Sequence, residues 1–175
     1  TARFVHAALA LESPAVVYDS RYRPLTYPMG DVPAGQGVCA DVVIRAYRGI
    51  GIDLQQRVHE DMRQHFTAYP QLWGLKQADA NIDHRRVPNL QVFFRRHGTV
   101  LPITTDAADY HPGDIVTWNL RPGGSLPHIG IVMDKIVPGS GHRMIMHNIG
   151  AGQVLADRLF DYPITGHYRY ALDAP

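Results

Sequence analysis

Cysteine is nearly absent from this chain of 175 residues, in which Cys39 is the single thiol. One thiol excludes an internal disulfide framework and any metal site built from several cysteines. Lysine is also rare, because Lys76 and Lys135 are the only lysines among 17 basic residues. No apolar run approaches the ~20 residues that cross a bilayer, so we expect no membrane span. The chemistry of Cys39 is therefore the first question.

A strong net charge is missing as well. The 17 basic side chains face 16 acidic ones, and a formal charge of +1 gives no sign of a nucleic acid or an anionic membrane as the partner. Ten histidines are present, but their spacing matches no known metal-ligand set, and we expect no cofactor. The chain begins at Thr1 rather than Met, so we expect that a leader is removed and that a monomer acts in the periplasm or outside the cell.

The first half of the chain, to about residue 98, has helical periodicity. Leu54, Val58, Met62 and Phe66 recur four residues apart, as on the buried face of a helix. Helices are predicted over residues 2–12, 39–48, 53–66 and 90–97, and glycines follow the second and the fourth. Residues 15–31 are predicted to be extended, and residues 69–88 form an irregular loop.

The second half, about 112–172, consists of short β-rich runs separated by Gly and Pro clusters. Such runs predict an antiparallel meander. Helices followed by a meander predict a single α+β domain over residues 1–175, with the helices packed on one face of the sheet.

Cys39 lies where the second predicted helix begins. A helix N-terminus stabilises a thiolate and can bring its pKa from ~8.5 toward neutrality. A nucleophilic thiol also needs a base, and the base needs a group that orients it. The competing interpretation is that Cys39 is a small hydrophobic residue of the core.

A candidate base is found in the run "LPHIGIVMD". Ile129, Ile131 and Met133 share one face of this predicted strand, whereas His128 and Gly130 share the other, which places the imidazole beside a glycine-sized space. A purely structural hydrogen-bonding role for His128 is the alternative. The next run, "MIMHNIG", supplies His147 and Asn148 as orienting groups, and His167 in "GHYRY" is a further candidate.

The order of these runs resembles a known family. Cys39 at a helix start, followed by "YHPGDIVTW", "HIGIV" and "MIMHN", is similar to the NlpC-type papain-like cell-wall peptidases over most of residues 27–150. Those enzymes also have a tyrosine about a dozen positions before the cysteine, near a glycine, and Tyr27 and Gly30 match that pattern. Runs such as "CADVVIRAYR" and "IDHRRVPN" are similar to a bacterial family known as a domain of unknown function.

The resemblance implies a papain-like fold and a set of catalytic roles. Cys39 would be the nucleophile, His128 the general base and acid, and His147 the orienting residue. The N–H of Cys39 and the Tyr27 hydroxyl would stabilise the oxyanion, which is commonly the largest contribution to catalysis of acyl transfer. Asp114 in "PGDIV" is expected to form a turn.

Substrate contacts are expected from four further residues, Asp41, Arg85, Arg86 and Asn148. NlpC-type enzymes hold a free amino group with polar neighbours of the cysteine, and here Val38 and Ala40 stand in those places, so Asp41 is the substitute, unless it serves only the helix dipole. Arg85 and Arg86 would bind carboxylates of a stem peptide or else pair with Asp79 and Asp83.

These inferences lead to one main hypothesis and two alternatives. The main hypothesis is a thiol hydrolase that cleaves an amide bond in peptidoglycan stem peptides or cross-links through a thioester. An acyltransferase could use the same residues. A non-catalytic module that binds peptides or cell wall on the same fold is the other alternative.

Overall fold

The computed structural model describes residues 1–172, and its helices precede its main sheet along the chain. The helices are α1 Ala2–Leu9, α2 Cys39–Arg48, α3 Leu54–Gln64 and α4 Val87–His97. The strands are β1 Val17–Tyr18, β2 Gln36–Gly37, β3 Thr99–Val100, β4 Ile115–Asn119, β5 Pro127–Ile136, β6 Arg143–His147, β7 Val154–Ala156 and β8 Ile164–Arg169. This arrangement confirms the α+β class, with the helices of the N-terminal half packed on a C-terminal sheet. None of these helices is long and apolar enough to cross a membrane.

Helix α2 is the central helix of the fold. Every residue from Cys39 to Tyr47 is buried, because the helix packs against α1 on one side and strand β5 on another. Gly49 follows the helix and lets α1 approach closely, since a Cβ there would lie 2.8 Å from the Cβ of Ala7. Gly51 then takes a left-handed conformation with φ +84°, which glycine adopts without steric cost.

The main sheet has six antiparallel strands in the order β3-β8-β4-β5-β6-β7. Strands β4 to β7 form the predicted meander. The last strand, β8, returns to lie between β3 and β4 rather than beside β7. The strand runs in the sequence predict the strands themselves but contain no information on which edge the last strand joins.

The two faces of strand β5 contact different cores. Ile129, Ile131 and Met133 belong to the core beneath the helices. On the opposite face Val132 packs with Trp118 and Ile145 under the segment that contains Leu159. His128 is therefore on the face away from the helices by its phase, at the end of the strand where the chain enters the sheet.

Several bounds and elements differ from the sequence prediction. Helix α3 ends at Gln64 rather than at residue 66, and α4 begins at Val87 rather than at residue 90. Helix α1 ends at Leu9 instead of residue 12, and most of 15–31 has no regular structure. The exception is β1, which pairs in parallel with β2, with Tyr18 opposite Gly37. Two-residue strands show no hydrophobic period, so they form only where a partner fixes their backbone hydrogen bonds. The predicted domain also includes 173–175, which lie outside the described residues.

Candidate functional site

Cys39 is the first residue of α2 and borders a surface groove. Its side chain is only 5% exposed, yet it contributes to the wall of a cavity of about 500 Å³. The turn before it is fixed by Asp41, whose Oδ2 accepts a hydrogen bond from Val38 N at 2.7 Å. This bond satisfies one of the N–H groups at the helix N-terminus that have no partner within the helix. Cys39 is thus held rigidly at the end of a buried helix, next to open space.

The surroundings of Cys39 favour the neutral thiol. Burial raises the pKa of Cys39 to about 11, and the charge of Asp41 acts in the same direction. Hydrogen bonds with the main chain at Ile129 and Ala40 lower the pKa but do not offset the burial. The helix N-terminus therefore does not produce a resting thiolate here, because desolvation dominates.

Tyr18 is the side chain next to the thiol. The side chain and the main chain of Cys39 both act on the pKa of its hydroxyl, which places this hydroxyl close to the thiol. Burial, followed by the nearby Cys39, raises the pKa of Tyr18 to about 12, so the phenol stays protonated and can donate. The sequence offers no signal for this contact, since it depends on the parallel pairing of β1 with β2 directly before α2.

His128 and His147 form a hydrogen-bonded pair across strands β5 and β6. The Nε2 of His128 lies 2.8 Å from the Nδ1 of His147, and the two rings meet edge to face at 73°. Burial lowers the pKa of His128 to about 3 and that of His147 to about 4, so both rings are neutral at pH 7. With Nε2 engaged in this way, the Nδ1 of His128 has no hydrogen-bond partner among the described side chains.

The contact between Cys39 and strand β5 runs through the main chain. The main chain of Ile129, the residue after His128, lies close enough to the thiol to lower its pKa. Among residues 1–172 no hydrogen bond joins the Cys39 Sγ to the His128 ring. The structure therefore places the main chain of Ile129 next to the thiol, whereas the His128 ring lies on the opposite face of β5, against Trp118 and His147.

The space beside Gly130 is occupied by the neighbouring strand. A Cβ at Gly130 would lie 2.7 Å from Ile145 Cγ2 and 3.3 Å from the Cβ of His147. Glycine at this position therefore allows β6 to approach closely, which brings His147 within hydrogen-bond distance of His128. Trp118, opposite His128 in the sheet, contacts the imidazole with ring centroids 5.7 Å apart.

Tyr27 is not brought to Cys39. It is 41% exposed, and its ring meets the edge of His59 at 5.0 Å between centroids. Burial raises the pKa of Tyr27, as do the charges of Glu60 and Asp53, which places its hydroxyl in the surroundings of α3. The spacing of twelve residues matched the family pattern, but the irregular chain between the two residues leads elsewhere.

Two of the candidates for the orienting position have other contacts. Both ring nitrogens of His167 are engaged, one with Asp114 Oδ2 at 2.8 Å and the other with Pro102 O at 2.8 Å. Asn148 is fully buried at the end of β6, where its Oδ1 accepts from Gly150 N, and it does not border the groove. Asp114 also accepts from His111 N at 2.9 Å, which agrees with its expected turn-forming role.

Asp41 and Arg85 bind each other. Arg85 Nε donates to Asp41 Oδ1 and Arg85 Nη2 to Oδ2, both at 2.9 Å, and each side chain is 2% exposed. This pairing differs from the alternatives raised by the sequence, in which Arg85 would pair with Asp79 or Asp83. The carboxylate of Asp41 is thereby occupied on both oxygens, and the charge of Arg85 is neutralised beside the groove.

Arg86 behaves differently from Arg85, although both line the groove. Its guanidinium carbon lies 4.3 Å from the centre of the Trp73 ring, which forms a cation–π contact. Its Nη1 is buried and has no hydrogen-bond partner among residues 1–172. Trp73 was not anticipated from the sequence, because it lies in the irregular 69–88 loop.

The described residues contain no group of three or more His, Cys, Asp or Glu side chains that could hold a metal ion. The groove is bordered by the Cys39 thiol, the Tyr18 hydroxyl and the two arginines Arg85 and Arg86, whereas the neutral pair of His128 and His147 is not part of its lining.

Comparison with known proteins identifies the family. Residues 5–170 match the family model described as "Domain of unknown function (DUF1287)". The chain is 53% identical over 153 residues to the uncharacterized protein YijF of Escherichia coli (strain K12). The aligned region covers 87% of this chain and 73% of that protein. No solved structure matches the chain. The chain therefore belongs to the DUF1287 family, in agreement with the domain of unknown function that its sequence runs indicated.

Proposed function

We propose that this protein is a thiol hydrolase that cleaves an amide bond, with Cys39 as the nucleophile, His128 as the base and His147 as the orienting residue. The observation that carries the proposal is the 2.8 Å bond from His128 Nε2 to His147 Nδ1. This bond fixes the ring and leaves Nδ1 of His128 free for the role of base. The proposal requires this ring, on the face of β5 away from α2, to reach the Cys39 thiol around the start of the strand, where the main chain of Ile129 already acts on the thiol.

The chemistry follows from the neutral state of both partners. As the sulfur attacks the amide carbon and the C–S bond forms, the thiol proton passes to His128 Nδ1. His128 then gives this proton to the departing nitrogen when the C–N bond breaks, which leaves a thioester. A water molecule then attacks the thioester carbon and gives its proton to His128 Nδ1. His128 returns this proton to the sulfur when the C–S bond breaks, which restores the thiol and releases the acid.

The oxyanion that forms at each attack would be stabilised by two donors that converge near the sulfur. They are the N–H of Cys39, at the start of α2, and the hydroxyl of Tyr18, which lies close to the same residue. This assigns to Tyr18 the role that the sequence had suggested for Tyr27.

The finer parts of the proposal rest on the family resemblance. The order of a cysteine at a helix start, a histidine strand and a third polar residue on the next strand supports a papain-like arrangement of the NlpC type. The substrate would then be a peptidoglycan stem peptide or cross-link, and the protein would act in the periplasm or outside the cell, where that substrate is found.

The proposal is tested by hydrolysis of purified sacculi and muropeptides. We expect Cys39→Ala and His128→Ala to lower turnover by at least about 10³-fold, because each removes a group that bonds or transfers a proton to the reacting atoms. His142→Ala, at a partly exposed histidine paired with Asp157, serves as the matched control and should keep full activity. Unchanged turnover in Cys39→Ala would refute the hydrolase.

A non-catalytic binding module is the second candidate, and the raised pKa of Cys39 favours it. The two functions differ in the reactivity of the thiol. A hydrolase should be labelled at Cys39 by iodoacetamide at pH 7 in a manner that depends on His128, whereas a binding module should not be labelled in the folded state. Because the chain has one cysteine, intact mass gives the extent of labelling directly.

If hydrolysis is seen, product analysis with an added amine tests the acyltransferase. A transferase produces the acylated amine, and a hydrolase produces the free acid alone.

A further inference from the structure

The groove beside Cys39 has a one-sided charge. Its walls contain two arginines and no carboxylate. The remaining lining is aromatic, aliphatic or hydroxyl-bearing, with Tyr18, Ser20 and Ser125 among the polar groups. A groove of this composition favours an anionic or neutral ligand over a cationic one.

The two arginines are not equivalent. Arg85 forms a bidentate ion pair with Asp41, which neutralises its charge. Arg86 forms no ion pair within 4 Å among residues 1–172, although the charges of Asp83 and Asp79 act on it, and its Nη1 is buried without a hydrogen-bond partner. A buried guanidinium nitrogen that lacks an acceptor is costly, so such a group commonly has a partner that binds there.

Trp73 holds Arg86 in a defined position. The indole face beneath the guanidinium restricts the side chain and shields one side from water. Tyr22, which could compete for the cation, already donates its hydroxyl proton to Asp79 Oδ2 at 2.9 Å. Because Arg86 also lines the groove, the part of its guanidinium that faces the groove is held in place for an oxygen acceptor of a ligand, such as a carboxylate.

We infer that Arg86, positioned by Trp73, is the residue that selects a substrate with a carboxylate group, which it binds in the groove next to Cys39. The inference names the substrate class of the proposed hydrolase and so rests on that proposal. The sequence suggested that both Arg85 and Arg86 bind substrate carboxylates. The inference assigns this contact to Arg86 alone.

The test measures binding to the Cys39→Ala protein, so that no hydrolysis interferes. The probe is the stem tetrapeptide L-Ala-γ-D-Glu-diaminopimelate-D-Ala, together with three forms in which one carboxylate at a time is amidated. Calorimetry should show one amidation that weakens binding by about tenfold or more, because a charge-assisted bidentate contact is lost. Adding Arg86→Gln should weaken binding of the parent peptide and remove the effect of that amidation.

Two further variants serve as controls. Arg3→Gln removes one exposed positive charge on α1 and should leave the amidation effect unchanged. Arg86→Lys keeps the charge but not the fork, and we expect it to recover only part of the affinity, while thermal unfolding shows whether each variant is folded. The inference is overturned if all four peptides bind equally, if none binds at millimolar concentration, or if the amidation effect persists in Arg86→Gln.

Failure of the inference is distinguishable from failure of the proposed function. Carboxylate selection by Arg86 without turnover by the wild-type protein would support a binding module. Cys39-dependent turnover of all forms at equal rates would leave the hydrolase intact and exclude Arg86 as the selecting residue.

Discussion

At the residue scale, the hydroxyl next to the thiol decides how an oxyanion could be held. Tyr18 lies close to Cys39, whereas Tyr27 lies beside His59. We expect Tyr18→Phe to lower kcat by about 10²-fold with little change in KM, because loss of one oxyanion donor typically costs this much. Tyr27→Phe is the matched control and should retain nearly full kcat. Equal losses in the two variants would contradict the assignment of Tyr18.

The contrast between these tyrosines shows which site residues can be predicted from the sequence and which cannot. Cys39, His128 and His147 could be singled out because each has a local signal: a helix start, or a position in an alternating strand. Tyr18 has none, since its place depends on a parallel bridge to residues 36 and 37. Tyr27 was predicted only from its spacing of twelve residues before Cys39. The chain between the two residues is irregular, so this spacing does not determine how far apart they lie in the structure.

At the element scale, strands β5 and β6 must approach closely for the histidine pair to form. Gly130→Ala would place a Cβ 2.7 Å from Ile145 Cγ2 and 3.3 Å from the Cβ of His147. We expect a loss of about 1–3 kcal/mol in the free energy of unfolding, as is usual for overpacking, and a fall in kcat because His147 is displaced from His128.

Gly35→Ala is the control for this substitution, because a Cβ there meets nothing within 4 Å. Urea unfolding and turnover should both be close to wild type. A Gly130→Ala protein with normal stability and turnover would show that the strands can separate without cost.

The end of α2 is fixed by the buried pair of Asp41 and Arg85. Removing one partner leaves an uncompensated buried charge, so we expect Arg85→Met to lower the free energy of unfolding by about 3–5 kcal/mol. The double variant with Asp41→Asn should be less destabilised than Arg85→Met alone. Arg158→Gln, which breaks a surface pair with Asp161, should cost less than about 1 kcal/mol. Urea unfolding of the four proteins distinguishes these outcomes.

The elements that the sequence predicts well are those whose pattern repeats. Leu54, Val58 and Met62 are buried as the helical period requires, and Ile129 and Ile131 share a core face as alternation requires. The pairing between distant elements is less visible. The Asp41–Arg85 bond joins residues 44 positions apart, and no local pattern in either segment indicates the other.

At the scale of the whole molecule, several histidines are buried without charge. Burial lowers the pKa of His84 to about 3, in addition to its effects on the His128 and His147 pair. These rings belong to different elements, since His84 lies in the loop before α4 and the pair lies on the sheet. Protonation of any of them would place a positive charge inside the fold, so we expect acid to lower the stability of the whole domain.

The direction of the acid effect follows from linkage. A folded-state pKa below the unfolded value of ~6.5 means that the unfolded chain binds protons first, so stability falls as the pH decreases below ~6.5. Asp83 acts in the opposite direction, because burial raises the pKa of its carboxyl to about 6. Between pH 6 and 4 its contribution therefore offsets that of one histidine in part.

Substitution at His84 isolates one contribution to this acid effect. We expect the free energy of unfolding of wild type to fall between pH 6.5 and 4.5, and His84→Gln to reduce that slope by up to about 1.4 kcal/mol per pH unit, because a glutamine takes up no proton. The contribution of Asp83 cancels in the comparison, since both proteins retain it. His6→Gln, at an exposed position on α1, should leave the slope unchanged. Parallel pH profiles of His84→Gln and wild type, measured by urea unfolding, would show that His84 is not held neutral by its burial.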